Sequence, residues 1–124
     1  MIVHLDTSAL IDAVAGERRA YDRLAELLHA GHRLAVSTIA MYEWLRGPRT
    51  ERELRSQVDL LPSDAMVLFG PQEAAVAASL YQSVRRPRGR DLDLAIAACA
   101  LAHNAVLWTL NRKDFDDIPG LELI

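Results

Sequence analysis

Four acidic residues, spread along the chain, each stand at the polar edge of an apolar segment: Asp6, Glu43, Asp93 and Asp114. Carboxylates brought together without matching cations repel one another and are costly to desolvate. A divalent metal ion offsets this repulsion, and carboxylate oxygens favour Mg²⁺, with Mn²⁺ as the alternative, over Zn²⁺. Because bound Mg²⁺ can neutralise a phosphodiester and activate a water, the pattern predicts phosphodiester hydrolysis.

Each acid also has a purely structural interpretation. Asp6 could mark only the entry to a helix, and Glu43 could form a salt bridge with Arg46 three residues later. Asp93 could stabilise the first turn of a helix through the helix dipole, and Asp114 could cap a turn. Taken singly these signals are weak, and it is their combination that favours a shared site.

Arginine supplies thirteen of the fourteen basic residues in a chain whose net charge is −3. The run RRPRGR immediately precedes Asp91 and Asp93. Because the guanidinium group suits phosphate oxygens, we expect phosphate contacts from Arg88, Arg90 and Arg112. A solvated helix end is the alternative interpretation of the same run.

Histidine and cysteine offer little alternative chemistry. The four histidines show no metal-ligand spacing. The single cysteine, Cys99, excludes an internal disulfide framework and a cysteine-rich zinc site. Since Cys99 lies in an alanine-rich helical stretch, we interpret it as a core residue rather than a nucleophile.

Short apolar runs that predict strands alternate with helical segments. Strands are expected at 2–5, 33–37, 65–69 and 105–109, with 121–124 as a candidate fifth; helices are expected from Ala9, over 17–30, from 38 to Gly47, and over 50–61, 72–84 and 92–103. This alternation predicts one α/β domain, 1–124, with a mainly parallel sheet. Ligands of such sheets bind beyond the carboxyl ends of the strands, where all four acids can point into one cleft.

Two local expectations concern individual helices. Thr7 or Ser8 is expected to cap the first helix, and Leu54, Val58 and Leu61 are expected to form the inner stripe of the helix over 50–61. A groove for an amphipathic partner helix could be lined by Met41, Trp44, Leu45, Leu54 and Val58. Core packing is the favoured interpretation of Trp44.

At these residues the chain resembles the PIN-domain ribonucleases, and most closely the VapC-type toxins of bacterial toxin–antitoxin pairs. The resemblance covers essentially the whole chain and rests on VHLDTSALID, STIAMYEWLRG and RDLDLAIAACALAHNAVLWTLNRKDFDDIPGL. The family pattern has an acid and small hydroxyl residues after the first strand, a Glu in a helix, an Asp before Ile-Ala-Ala, and a hydroxyl residue, an Asn and an acid before Phe. These positions match Asp6 with Thr7 and Ser8, Glu43, Asp93, and Thr109, Asn111 and Asp114.

The resemblance implies a three-layer α/β/α domain with a four- to five-stranded sheet and metal-dependent endonucleolytic cleavage of RNA. It also implies a homodimer and a small antitoxin whose C-terminal segment blocks the cleft, and we expect that segment to be basic. Our hypothesis is that Asp6 and Asp93 bind Mg²⁺ and that Glu43 and Asp114 complete the site. Supporting groups that would orient carboxylates or water are Thr7 or Ser8, Thr109 and Asn111. The extra acids Asp91, Asp116 and Asp117 leave open which carboxylate of each group touches metal.

Two rival classes of function remain. A phosphoacceptor signalling domain needs an acid pair after the first strand and an acceptor Asp after the third, whereas Asp6 stands alone and AMVLFGP offers no acceptor. A catalytically silent binding module would bind partners without cleaving RNA.

With no leading signal segment and no apolar run of about 20 residues, we expect a cytoplasmic protein without membrane contact.

Overall fold

A parallel sheet forms the centre of the computed structural model, which describes residues 1–16 and 19–124. Its strands are β1 (Ile2–Leu5), β2 (Arg33–Ser37), β3 (Met66–Val67) and β4 (Val106–Trp108), in the order β3-β2-β1-β4. Leu5 is in register with Val36 on one side and with Trp108 on the other. The residues that follow these three strands therefore lie at the same edge of the sheet.

Six helices cover the sheet in the described part of the chain: α1 (Thr7–Val14), α2 (Arg19–His29), α3 (Thr38–Arg46), α4 (Glu51–Leu60), α5 (Pro71–Ser83) and α6 (Asp91–Ala102). The connections from β1 to β2 and from β2 to β3 run in one direction, whereas the connection from β3 to β4 returns across the whole sheet. Because such crossovers are right-handed, α1–α4 lie on one face and α5 and α6 on the other. The predicted three-layer α/β/α fold is thus confirmed.

The core is built from the strands and from α6. Leu94–Ala100 of α6 are all buried, and four of these seven residues are alanines, which lets α6 pack closely on α5. Leu5 and Leu107 have no exposed surface, and burying each such side chain is worth about 1.5–3 kcal/mol. Cys99 is also fully buried and burial raises the pKa of its thiol to about 12, which confirms its interpretation as a core residue.

The sheet is smaller than expected at three places. The strand predicted at 105–109 is β4, Val106–Trp108. β3 has only two residues, Met66–Val67, because the chain then turns and the Phe69 N–H donates to Thr38 Oγ1 at 3.1 Å instead of to β2. The segment 121–124 makes one parallel bridge, between Leu107 and Leu123, rather than a fifth strand. Four strands are therefore present in the described ranges.

Two expectations about helices were wrong, and a third is only partly tested. α1 begins at Thr7, so Asp6 rather than Thr7 or Ser8 occupies its N-cap position, and the Asp6 carboxylate makes no capping hydrogen bond. On α4 the buried face passes through Gln57, so Val58 is turned outward and is 57% exposed, whereas Leu61 is fully buried as expected and Leu54 is partly buried. The predicted start of the second helix, Glu17, lies outside the described residues.

Within the described residues, no helix is long and apolar enough to span a membrane.

Candidate active site

Asp6 stands where β1 meets α1, and the backbone fixes it there. Its N–H donates to the Trp108 carbonyl of the neighbouring strand at 2.9 Å. Its own carbonyl accepts from Ala9 and Leu10 at 3.1 and 3.2 Å, which starts the helix. The backbone is extended, and the residue is only 4% exposed. This junction therefore holds the carboxylate at the carboxyl edge of the sheet.

Two hydroxyl groups hold the side chain of Asp6. Ser8 Oγ and Thr109 Oγ1 each donate to Asp6 Oδ2 at 2.8 Å. The two hydroxyls are themselves fixed, since the Leu110 N–H donates to Ser8 Oγ at 3.0 Å and the Asn111 N–H to Thr109 Oγ1 at 2.9 Å. Both donors to the carboxylate are neutral, so they orient Asp6 without neutralising its charge.

Glu43 projects from α3, and its carboxylate accepts a hydrogen bond from a side chain of α1. Thr7 Oγ1 donates to Glu43 Oε1 at 2.7 Å, while Arg46 Nη2 lies 3.5 Å from Glu43 Oε2. The salt bridge that the sequence offered as an alternative is therefore present. Because the Arg46 side chain is 53% exposed, solvent screens this pair, and the bond from Thr7 is the better positioned of the two contacts.

Asp93 shows that the four acids influence one another. It lies half-buried in the first turn of α6, and its pKa is raised to about 6. Burial is the largest cause, followed by the negative charges of Asp6, Asp114 and Glu43, while Arg90 opposes the rise. Four carboxylates from four parts of the chain are thus close enough to destabilise the charge on one of them.

A cleft of about 270 Å³ lies beside Asp93 and is also lined by Glu43, Gly89, Asp91 and Leu92. Asp91 therefore shares the cleft that the sequence assigned to Asp93. Asp114 lies in a short 3₁₀ turn, Arg112–Asp114, and is exposed, as is Asp116. The cleft is open to solvent.

The three arginines predicted to contact phosphate differ in their surroundings. Arg88 and Arg112 are exposed. Arg90 instead donates to both carboxylate oxygens of Asp117, at 2.8 and 2.6 Å, and to the Asp114 carbonyl at 2.9 Å. This pairing lowers the pKa of Asp117 and raises that of Arg90. The sequence did not reveal the Arg90–Asp117 pair, because its partners are 27 residues apart and no local pattern links them.

The donor groups suit a hard cation. Within residues 1–16 and 19–124, no three His, Cys, Asp or Glu side chains converge on one metal position. Mg²⁺, however, is commonly bound through one or two carboxylates and keeps several waters. Asp6 and Asp93 fit that mode of binding, because Asp6 is oriented without being neutralised and the charge of Asp93 is destabilised by its neighbours.

Comparison with known proteins gives a consistent result over the whole chain. A family model, the PIN domain, matches residues 3–121. Ribonuclease VapC19 from Mycobacterium tuberculosis is 32% identical over 120 residues, which cover 95% of each chain. Ribonuclease VapC1 from Haemophilus influenzae is 30% identical in an alignment of 130 positions, gaps included. The alignment covers 98% of this chain and 96% of that one.

Solved structures of toxin–antitoxin complexes have the same fold. The VapBC2 complex from Rickettsia felis, bound to a DNA fragment from its promoter, matches with a TM-score of 0.74 and 27% identity, covering 100% of this chain and 98% of the matched chain. The VapBC-1 complex from nontypeable Haemophilus influenzae matches with a TM-score of 0.72 and 29% identity, covering 100% and 97%. The sequence and the fold agree, and the chain belongs to the PIN-domain family, within its VapC-type group.

Proposed function

We propose that this protein is a Mg²⁺-dependent endoribonuclease and the toxin of a type II toxin–antitoxin pair. The observation that carries the proposal is Asp93, whose charge is destabilised by burial and by three further acids at the edge of the sheet. Destabilised charges of this kind concentrate at functional sites. The full-length similarity to proteins named ribonuclease supports RNA as the substrate.

Asp6 and Asp93 would hold Mg²⁺, or Mn²⁺ in its place. When bound, the metal would supply charge neutralisation at the phosphodiester and would make a water easier to deprotonate. Glu43 and Asp114 complete the site directly or through water, and one of them accepts the proton of the attacking water. Ser8 and Thr109 orient Asp6, each through a hydrogen bond of 2.8 Å, and Thr7 orients Glu43 through one of 2.7 Å.

The RNA backbone would lie along the open side of the cleft. Arg88 and Arg112 are exposed, and Arg88 directly precedes Gly89 of the cleft lining, so both could bind phosphate oxygens. Asn111 is also exposed, and its backbone N–H fixes the Thr109 hydroxyl at 2.9 Å. These groups would hold the scissile phosphate near the acids, while the acids themselves repel RNA that lacks a metal ion.

An antitoxin would bind over exposed apolar surface and over the acidic cleft. A cavity of about 470 Å³ is lined by Thr38, Met41, Tyr42, Leu45 and Arg46, and Tyr42 and Leu45 are 56% and 54% exposed. Such a surface suits an amphipathic helix, whereas Trp44 is fully buried and belongs to the core. A basic segment of the antitoxin would then occupy the cleft in place of the metal.

We further propose that the protein forms a homodimer.

Cleavage of a labelled total-RNA pool tests the proposal. The purified chain is incubated with Mg²⁺, with Mn²⁺ and with chelator, beside the variants Asp6→Asn and Asp93→Asn. Asp22→Asn, an exposed acid on α2, serves as the control for charge removal. Discrete fragments that need metal and are lost in both site variants but not in the control would support the nuclease. Equal cleavage by Asp93→Asn, or none by the folded wild-type chain with metal, would overturn it.

A further inference from the structure

The guanidinium group of Arg90 is already hydrogen-bonded to other groups of the protein. Its Nη1 donates to Asp117 Oδ2 at 2.8 Å, and its Nη2 donates to Asp117 Oδ1 at 2.6 Å and to the Asp114 carbonyl at 2.9 Å. The Arg90 side chain is only 18% exposed. Arg90 Nη1 also donates to the Arg86 carbonyl at 3.4 Å. Such a bidentate pair fixes the guanidinium plane, so binding phosphate through the same atoms would require breaking four hydrogen bonds.

These contacts join two segments that carry different acids of the site. Arg90 immediately precedes α6, whose first turn contains Asp93. Asp114 and Asp117 belong to the segment that follows β4, where the 3₁₀ turn Arg112–Asp114 is exposed. The contact to Asp114 goes to its backbone carbonyl, so this hydrogen bond does not occupy the Asp114 carboxylate.

The two segments meet at the start of α6. Arg90 is the N-cap residue of α6, whose first turn contains Asp93, and its Nη2 donates to the Asp114 carbonyl at 2.9 Å, which holds Asp114 next to that turn. The turn itself is held by short-range backbone bonds, from Asp114 N–H to Asn111 and from Asp116 N–H to Arg112. Arg90 adds a bond across segments and places a positive charge beside both acids.

We propose that Arg90 and Asp117 form a clamp that positions Asp114 beside Asp93, and that Arg90 does not bind the RNA. The clamp is a positioning device for the proposed nuclease and rests on that proposed function. If one acid of such a site moves by about 1 Å, the rate of the chemical step falls. Most contacts to the substrate remain in place.

Kinetics on Arg90→Gln, Asp117→Asn and the double variant distinguish the clamp from RNA binding. The substrate is a fluorogenic RNA oligonucleotide of mixed sequence. We expect each single variant to lower kcat by about 10–100-fold, with KM within about twofold, and the double variant to be no worse than either. Direct RNA binding predicts the opposite: a raised KM for Arg90→Gln, and a KM that is unchanged or lower for Asp117→Asn, which frees the guanidinium. Arg23→Gln, which removes the exposed Arg23–Glu26 pair, is the control.

Hydrogen exchange gives a second measurement that does not require cleavage. The amides of Asp114, Phe115 and Asp116 are hydrogen-bonded within the turn, and loss of the clamp should speed their exchange in Arg90→Gln and Asp117→Asn but not in Arg23→Gln. Unchanged exchange would overturn the clamp, and so would faster exchange with an unchanged kcat in an active enzyme. If the wild-type chain cleaves no RNA while exchange responds as expected, the proposed function fails and the clamp remains as a structural contact.

Discussion

Two buried polar side chains at the end of β1, one on the strand and one directly after it, have opposite surroundings. Asp6 is 4% exposed and accepts hydrogen bonds from two hydroxyls. His4, two residues earlier, has no exposed surface, and neither of its ring nitrogens has a hydrogen-bond partner in the described part of the chain. The pKa of His4 is lowered to about 4 by burial and then by His103. The fold therefore keeps His4 neutral, whereas it orients the carboxylate of Asp6.

Two acids show the same difference. Glu73 is buried, but its carboxylate accepts from the Gly70 N–H at 3.1 Å and pairs with His103 at 2.9 Å. The hydrogen bond from its own N–H is the largest cause of its lowered pKa, with His103 also contributing. The pKa of Asp93 is instead raised by burial and by three like charges. Acids with partners stabilise the fold, and acids left in mutual repulsion indicate a site that binds something positive.

The largest effect is expected from Asp93→Asn. We expect cleavage to fall by at least about 100-fold, more than is usual for a group that only supports a metal ligand. Because the raised pKa means that the Asp93 charge destabilises the native state at neutral pH, the same change should increase the free energy of unfolding by about 1–2 kcal/mol after allowance for solvent screening. Urea unfolding at pH 7 measures this. A variant that loses both activity and stability would contradict the assignment.

A smaller loss is expected from Thr109→Val, which keeps the shape of the side chain and removes the hydroxyl. The change takes one of the two hydrogen bonds from Asp6 and the acceptor from the Asn111 N–H. We expect activity to fall by about 10–100-fold and stability by about 1–3 kcal/mol. Thr50→Ala is the matched control, because it removes the capping box of α4 at a cost of about 1 kcal/mol and should leave the rate unchanged. Equal rates in the two variants would show that Thr109 does not orient Asp6.

Much of this arrangement could be predicted from the sequence, because the relevant signals are local. The apolar run before Asp6 and the continuous apolar helix after Asp93 predicted both their elements and their positions at an element end. The rest depends on tertiary contacts. The exposure of Val58 could not be predicted, since α4 has too few apolar residues to define its buried face. The Arg90–Asp117 pair depends on how two distant segments fold together, and nothing in either segment marks it.

The neutral state of buried His4, in contrast to the charged Asp6, can be tested by measuring stability at different pH values. A histidine whose pKa is lower in the folded state binds protons better when unfolded, so its contribution to stability is lost as pH falls from about 6.5 towards 4. For His4 this loss should be about 2 kcal/mol between pH 7 and pH 5. Urea unfolding of wild type and His4→Phe at both pH values isolates the effect from the titration of the acids. Parallel changes in the two proteins would mean that His4 is not buried neutral.

The smallest effect is expected from Arg46→Gln, set against Thr7→Val. Both side chains bind Glu43, but Arg46 does so at 3.5 Å from an exposed position, whereas the buried Thr7 donates at 2.7 Å. Exposed ion pairs within a helix are worth about 0.3–0.5 kcal/mol. An acceptor that is as shielded as Glu43, whose side chain is 18% exposed, costs about 1 kcal/mol when it loses its donor, the lower end of the range for buried groups. Urea unfolding in low and high salt should show a small, salt-dependent loss for Arg46→Gln and a larger, salt-independent loss for Thr7→Val. The reverse order would mean that Glu43 is held by charge, as the sequence alone had allowed, and not by the hydroxyl from α1.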